Sequence, residues 1–198
     1  IAAAQQDKDA AAEPGLAEGA IALIREQKEE YIIEDASSAT YRFYRKITVY
    51  EPAGLEYAVF SEWFTSFQSV QNLEIEILDL FGREIRKYNL GDVEILDNHS
   101  SQTLYDNSRL LYKKPSVSQY PVTVVLSYEM RYDGLLNLPV WQPVPGYGVA
   151  VCESSFHMIV PEGMAVSFNE LKGAKAMVHK EEGNTLYQWE LKDFRALP

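Results

Sequence analysis

TYRFYRKITVYE, residues Thr40 to Glu51, is the stretch on which the fold turns. Tyr41, Phe43, Arg45, Ile47 and Val49 alternate with Arg42, Tyr44, Lys46, Thr48 and Tyr50. A period of two sends alternate side chains to opposite faces of an extended strand. The β-branched and aromatic residues here suit a pleated surface. Pro52 and Gly54 then end the run. The same pattern returns in YPVTVVLSYEMRYD (120–133), where Val122, Val124, Leu126, Tyr128, Met130 and Tyr132 share one face, and Thr123, Ser127, Glu129 and Arg131 the other.

Working outward, further extended segments follow. LEYAVFSEWFTSF (55–67) is a strand candidate. NLEIEILDLFGREIRKY reads as a hairpin, with Leu73, Ile75 and Ile77 on one face, Glu74 and Glu76 on the other, and a turn over Asp79 to Gly82. DVEILD (92–97) is a short piece. AKAMVHK and TLYQWELKDF form a last hairpin around Gly183 and Asn184. Ile21 to Glu34 is ambiguous: Ile21, Ile24, Lys28 and Tyr31 fit a helical period, whereas YII at 31–33 fits a strand. No sustained helical face follows residue 35. The expected fold is all-β, an antiparallel β-sandwich over residues 21–198, preceded by a flexible Ala-rich leader over 1–20.

The composition narrows function without naming it. A formal net charge of -11 over 198 residues disfavours a phosphate backbone as partner, so nucleic acid is not expected. No apolar run approaches the length of a membrane-spanning helix. One cysteine, Cys152, cannot build an internal disulfide framework or a Cys-rich zinc site. His99, His157 and His179 fall in no metal-ligand spacing, and no phosphate-binding glycine loop or dinucleotide fingerprint occurs. No metal or other cofactor is expected.

Two segments stand out. On a regular strand VAVCESSFHMIV (149–160), Cys152 would share a face with Phe156, Met158 and Val160, while His157 would project from the opposite face. That spacing makes Cys152 a buried core residue rather than a nucleophile. LPVWQPVPGYG (138–148) carries Pro139, Pro143 and Pro145, which cannot sit in a central strand and impose an extended crossing. Trp141 and Tyr147 on this crossing are candidates for an interaction surface, or Trp141 caps the core. In YDNSRLLYKKP (105–115), read as a loop, Asp106 and Arg109 are three apart and suit a local charge-assisted bond. They complete the candidate interaction surface.

The order of these motifs resembles one bacterial family. AIALIREQ, RKITVYEPAG, EIEILDLFGREIRKYNLGDVE, TLYDNSRLLYKKP, YPVTVVLSYE, LPVWQPVP and SSFHMIVPEG, taken in sequence, are similar to the domain of unknown function 3857. That domain precedes transglutaminase-like domains in large envelope proteins of Bacteroidetes. The resemblance covers about residues 20 to 198. It rests on the D-x-x-G-R-x-I hairpin at 79–85, the Asp/Arg loop at 105–109, Tyr-Pro at 120–121 and Trp-x-Pro at 141–143. In place of an Asp-Asp-Arg form, the loop here reads Asp106-Asn107-Ser108-Arg109. The resemblance implies a non-catalytic β-sandwich in the periplasm or cell envelope, exported by a signal peptide not present in this chain. Its partner would be a C-terminal transglutaminase- or protease-like domain of the same polypeptide, beyond this chain, which would hold the Cys-His-Asp chemistry. The alternative is a glycan- or peptide-binding module that uses Trp63, Trp141 or Trp189 as platforms.

Overall fold

The fold is known from a computed structural model that describes residues 15–97, 108–135, 140–169, 175–181 and 183–198. Asp106 and Pro139 lie outside these residues. Among the described residues eleven strands follow in chain order: β1 (Ala22–Ile33), β2 (Ser38–Val49), β3 (Phe60–Phe64), β4 (Gln68–Leu78), β5 (Glu84–Asn89), β6 (Glu94–Asp97), β7 (Arg109–Lys113), β8 (Val122–Asp133), β9 (Val149–Pro161), β10 (Met177–Glu181) and β11 (Asn184–Phe194). They form an eight-stranded sheet of order β10-β11-β9-β1-β2-β8-β4-β5 and a three-stranded sheet of order β3-β7-β6. The β1–β9 pair is parallel and every other pair is antiparallel. This is the expected all-β sandwich, with layers of unequal width.

The inner face of the large sheet supplies most of the core. All six residues of the Val122–Tyr132 alternation are buried, as are Tyr41, Ile47 and Val49 on β2. The small sheet covers part of this face through Phe60 and Leu111, with the Phe60 ring edge-on to Tyr128 at 5.2 Å. Irregular chain covers the rest: Trp141, Val144, Met164 and Val166 pack on the core, and Phe168 meets Trp189 at 5.0 Å. Loops therefore do the work of the strands that the second layer lacks. The outer face is wet and laced with ion pairs, such as Arg42 with Glu30 and Glu129.

Two sequence expectations need correcting. Residues 52–58 form a 3-10 turn, so only Phe60–Phe64 of the 55–67 candidate is strand. Arg109 begins strand β7, opposite Phe64 and Asp97, rather than sitting in a loop. The adjacent Leu110 and Leu111 hid this strand, because Leu111 faces the core while Leu110 faces outward, and the alternation is lost.

A slip in phase explains two further differences. β1 is strand throughout, but its register against β2 shifts between Ile24 and Glu26. Ala22 and Ile24 face the core before the bulge, Tyr31 and Ile33 after it. A bulge adds one residue and flips the face of everything beyond it, which is why a period of two looked helical. β9 slips likewise. Val149 and Val151 belong to the main core with Phe156, Met158 and Val160, whereas Ala150 and Cys152 join a small outer cluster with Leu16, Ala20 and Leu23. Cys152 thus does not share a face with Phe156. It shares the outer face with His157, and five residues of extended chain still hold the two apart by about 16 Å.

Cys152 remains buried at 5% exposure, and that burial pushes its thiol above the ordinary value. Cys152→Ala is expected to cost ~1 kcal/mol by leaving a small cavity. The native thiol should react with a disulfide reagent at neutral pH only as fast as the fold opens; immediate stoichiometric labelling would show an accessible thiol instead.

Candidate functional site

A polar island interrupts the apolar inner face of the large sheet. On one rung Ser154, Gln27 and Arg45 lie directly opposite one another across β9, β1 and β2. On the next rung stand Phe156, Glu29, Phe43 and Tyr128. The β1 bulge is what turns Gln27 and Glu29 inward. The small sheet brings Glu62 down from above, on the same face of β3 as Phe60 and Phe64. The Pro-rich crossing brings Val140 and Gln142 from the side. Between these groups lies a cavity of about 220 Å³, lined among others by Glu29, Arg45, Glu62, Tyr128, Val140 and Gln142.

The island is tightly bonded. Arg45 Nε donates to Gln27 Oε1 at 2.8 Å, and Gln27 Nε2 donates to Glu29 Oε1 at 2.6 Å. Tyr41 Oη donates to the other Glu29 oxygen at 2.7 Å. Tyr128 Oη donates to Glu62 Oε1. Arg45 Nη1 donates to the Tyr57 carbonyl at 3.1 Å, and the guanidinium lies over the Phe43 ring at 5.0 Å. Burial is the largest influence on each ionisable group, since it disfavours the charged form. It raises Glu29 despite the bonds from Tyr41 and Gln27 and the field of Arg45. It raises Glu62 despite Tyr128 and Arg45, and it lowers Arg45. Tyr41 and Tyr128 are pushed well above the usual phenol range, first by burial and then by the neighbouring carboxylates.

Glu29 therefore ties stability to pH. A carboxyl whose folded-state pKa is raised holds its proton more firmly when folded. Its contribution is full below the unfolded value and is lost as pH rises through the folded one, at up to ~1.4 kcal/mol per pH unit for one proton. Glu29→Gln keeps the shape and removes the charge, and Tyr41 Oη can rotate to accept from the new amide. The variant should match the parent at pH 4 and exceed it by ~1 kcal/mol at pH 8. Urea titrations at both pH values check this; equal stability differences at both would show that Glu29 is not the group responsible.

The residues singled out from sequence are placed unevenly. Trp141 is half-buried, packs on the core, and donates from Nε1 to Ser154 Oγ at 3.1 Å. Tyr147 is 72% exposed, and its carbonyl accepts from Tyr57 Oη at 3.2 Å. Arg109 is exposed at the end of the small sheet and does not line the cavity. Of the other platform candidates, Trp63 is exposed, while Trp189 is buried and so offers no platform. The crossing alone leads from the sequence candidates to the cavity. Glu29, Arg45 and Glu62 were not singled out. A signal existed for Arg45, the one charged residue on the Tyr41/Phe43/Ile47/Val49 face, and for Glu62, which alternates with Phe60 and Phe64.

Comparisons with known proteins fit this architecture. The family model of the domain of unknown function with a solved structure, DUF3857, matches residues 35–198. No curated protein matches the sequence. Among solved structures, a "putative protease" from Parabacteroides distasonis is similar in fold, with a TM-score of 0.72 at 15% identity. That likeness covers 90% of this chain and 36% of the other. Native leukotriene A4 hydrolase from Saccharomyces cerevisiae matches at a TM-score of 0.40 and 10% identity, over 87% of this chain and 28% of the other, too little to carry an argument.

Proposed function

The chain belongs to the DUF3857 family, and from that footing we propose that it is a non-catalytic accessory domain of a larger bacterial envelope protein. In that role it supports and orients a transglutaminase- or protease-like domain that follows it in the same polypeptide. One observation carries the reading: a similar fold forms 36% of a longer chain, the "putative protease" of Parabacteroides distasonis. The chemistry of the cavity agrees with it. Its carboxylates are engaged by Tyr41, Gln27 and Tyr128, not arrayed about a nucleophile. Cys152 lies on the other face of the large sheet from the cavity.

The coding sequence after Pro198 is the direct test. It is expected to encode a module with a Cys/His/Asp set, and a stop codon or an unrelated module there overturns the proposal. Assays of the 198-residue chain should show neither peptide hydrolysis nor acyl transfer, and turnover would overturn the non-catalytic role. A second reading, a glycan- or peptide-binding module, is favoured by the exposure of Tyr147 on a crossing that Pro143, Pro145 and Trp141 hold in place. Its expected sign is a glycan- or peptide-array signal that Tyr147→Ala abolishes.

A further inference from the structure

We propose that the cavity between the two sheets binds a primary ammonium group, the end of a lysine side chain or of a small alkylamine. Among the described residues the cavity is lined by two carboxylates, Glu29 and Glu62, and one cation, Arg45. Arg45 is committed elsewhere: Nε goes to Gln27, Nη1 to the Tyr57 carbonyl, and its plane to the Phe43 ring. Among the described residues no ion pair joins Arg45 to either carboxylate. The acids are thus paired with neutral donors, and each keeps acceptor capacity for a charged one.

Shape and lining point the same way. A cavity walled by polar groups does not stay empty; it holds water or a ligand with matching partners. At about 220 Å³ it is smaller than the ~300–1,000 Å³ of sites for drug-sized ligands, so it suits a side chain or fragment. Phe43, Phe60 and Leu126 offer apolar wall to a methylene stem. Glu29, Glu62 and Gln142, whose backbone carbonyl lies 3.5 Å from Gln27 Nε2, offer oxygen acceptors to the three N–H bonds of an ammonium. Ser61 and Val140, both exposed, mark the mouth. Burial raises the proton affinity of both carboxyls, and an ammonium bound between them favours their charged form and so opposes that shift. This binding requires nothing of a neighbouring domain.

Calorimetric titration of the 198-residue chain with n-butylamine and with 1-butanol at pH 7 tests it. Saturable binding of the amine is expected, at least about tenfold tighter than the alcohol, the difference one charge-assisted contact makes. Glu62→Gln should weaken the amine at least about tenfold while leaving the alcohol unchanged. Equal affinity for amine and alcohol, or no saturable binding of the amine, overturns the proposal and leaves the cavity to water. Amine binding that Glu62→Gln does not alter also overturns it, because the amine then sits elsewhere on the acidic surface.

Discussion

Arg45→Met is expected to destabilise the domain by ~3 kcal/mol at pH 8 and by much less at pH 5. Methionine keeps most of the aliphatic stem, so lost packing is a minor part of the effect, although the guanidinium's contact with the Phe43 ring goes with the charge. What goes is, among the described residues, the only cation that lines the cavity with Glu29 and Glu62. Stranding a buried charge costs ~3–5 kcal/mol, and the half-exposure of Arg45 and Glu62 places this site at the low end. Gln27 Oε1 and the Tyr57 carbonyl also lose their donor. Lowering the pH protonates Glu29 and Glu62, whose affinity for protons is already raised, and removes the charge that Arg45 offset. Urea denaturation at the two pH values gives the comparison. The double variant with Glu29→Gln should recover at least ~1 kcal/mol of the loss at pH 8. A loss that is the same at both pH values, and additive with Glu29→Gln, would assign the effect to packing.

The same residue shows what could and could not be read from the chain. The β2 and β8 alternations survive intact in the structure, because both strands lie inside a wide sheet with one buried face. Strands that carry bulges defeated a strict period of two. In β1 the slip at Arg25 mimicked a helix and concealed that Gln27 and Glu29 point inward. In β9 it moved Cys152 to the other face of the sheet. In β4 the apolar phase also changes, from Val70 to Leu73, across Asn72 with its positive φ of 53°. The candidate site is built largely where phases change and layers meet. Glu29 follows a bulge, Glu62 arrives from the second sheet, and Gln142 comes from irregular chain. Local periodicity cannot report which strands stack, so the convergence of these three was not readable from spacing. Arg45 was the visible clue, since a charge on an otherwise apolar face needs partners once buried.

Trp141→Ala is expected to cost ~3 kcal/mol and to lower the melting temperature of the 198-residue chain on its own. Replacing a core Trp by Ala costs ~3–5 kcal/mol, and the half-buried position of Trp141 sets the lower figure. Two effects combine. The indole fills space over the β9 and β1 end of the large sheet, which the three-stranded layer does not cover. Its Nε1 also donates to the hydroxyl of Ser154, a residue with no exposed surface, and a buried acceptor that loses its donor is costly. Trp141→Phe separates the two: it retains most of the apolar contact and forfeits the bond, so ~1 kcal/mol is expected. The crossing should loosen with the ring, because Pro143 and Pro145 cannot supply ladder bonds to hold it. Gln142 and Val140 would then shift at the rim of the cavity, and the raised affinity of Glu29 for its proton should fall as water gains access. If Trp141→Ala melts like the parent, the indole is not a cap. Its half-exposed face would then belong against a partner domain, and the same substitution would instead weaken packing in the longer polypeptide.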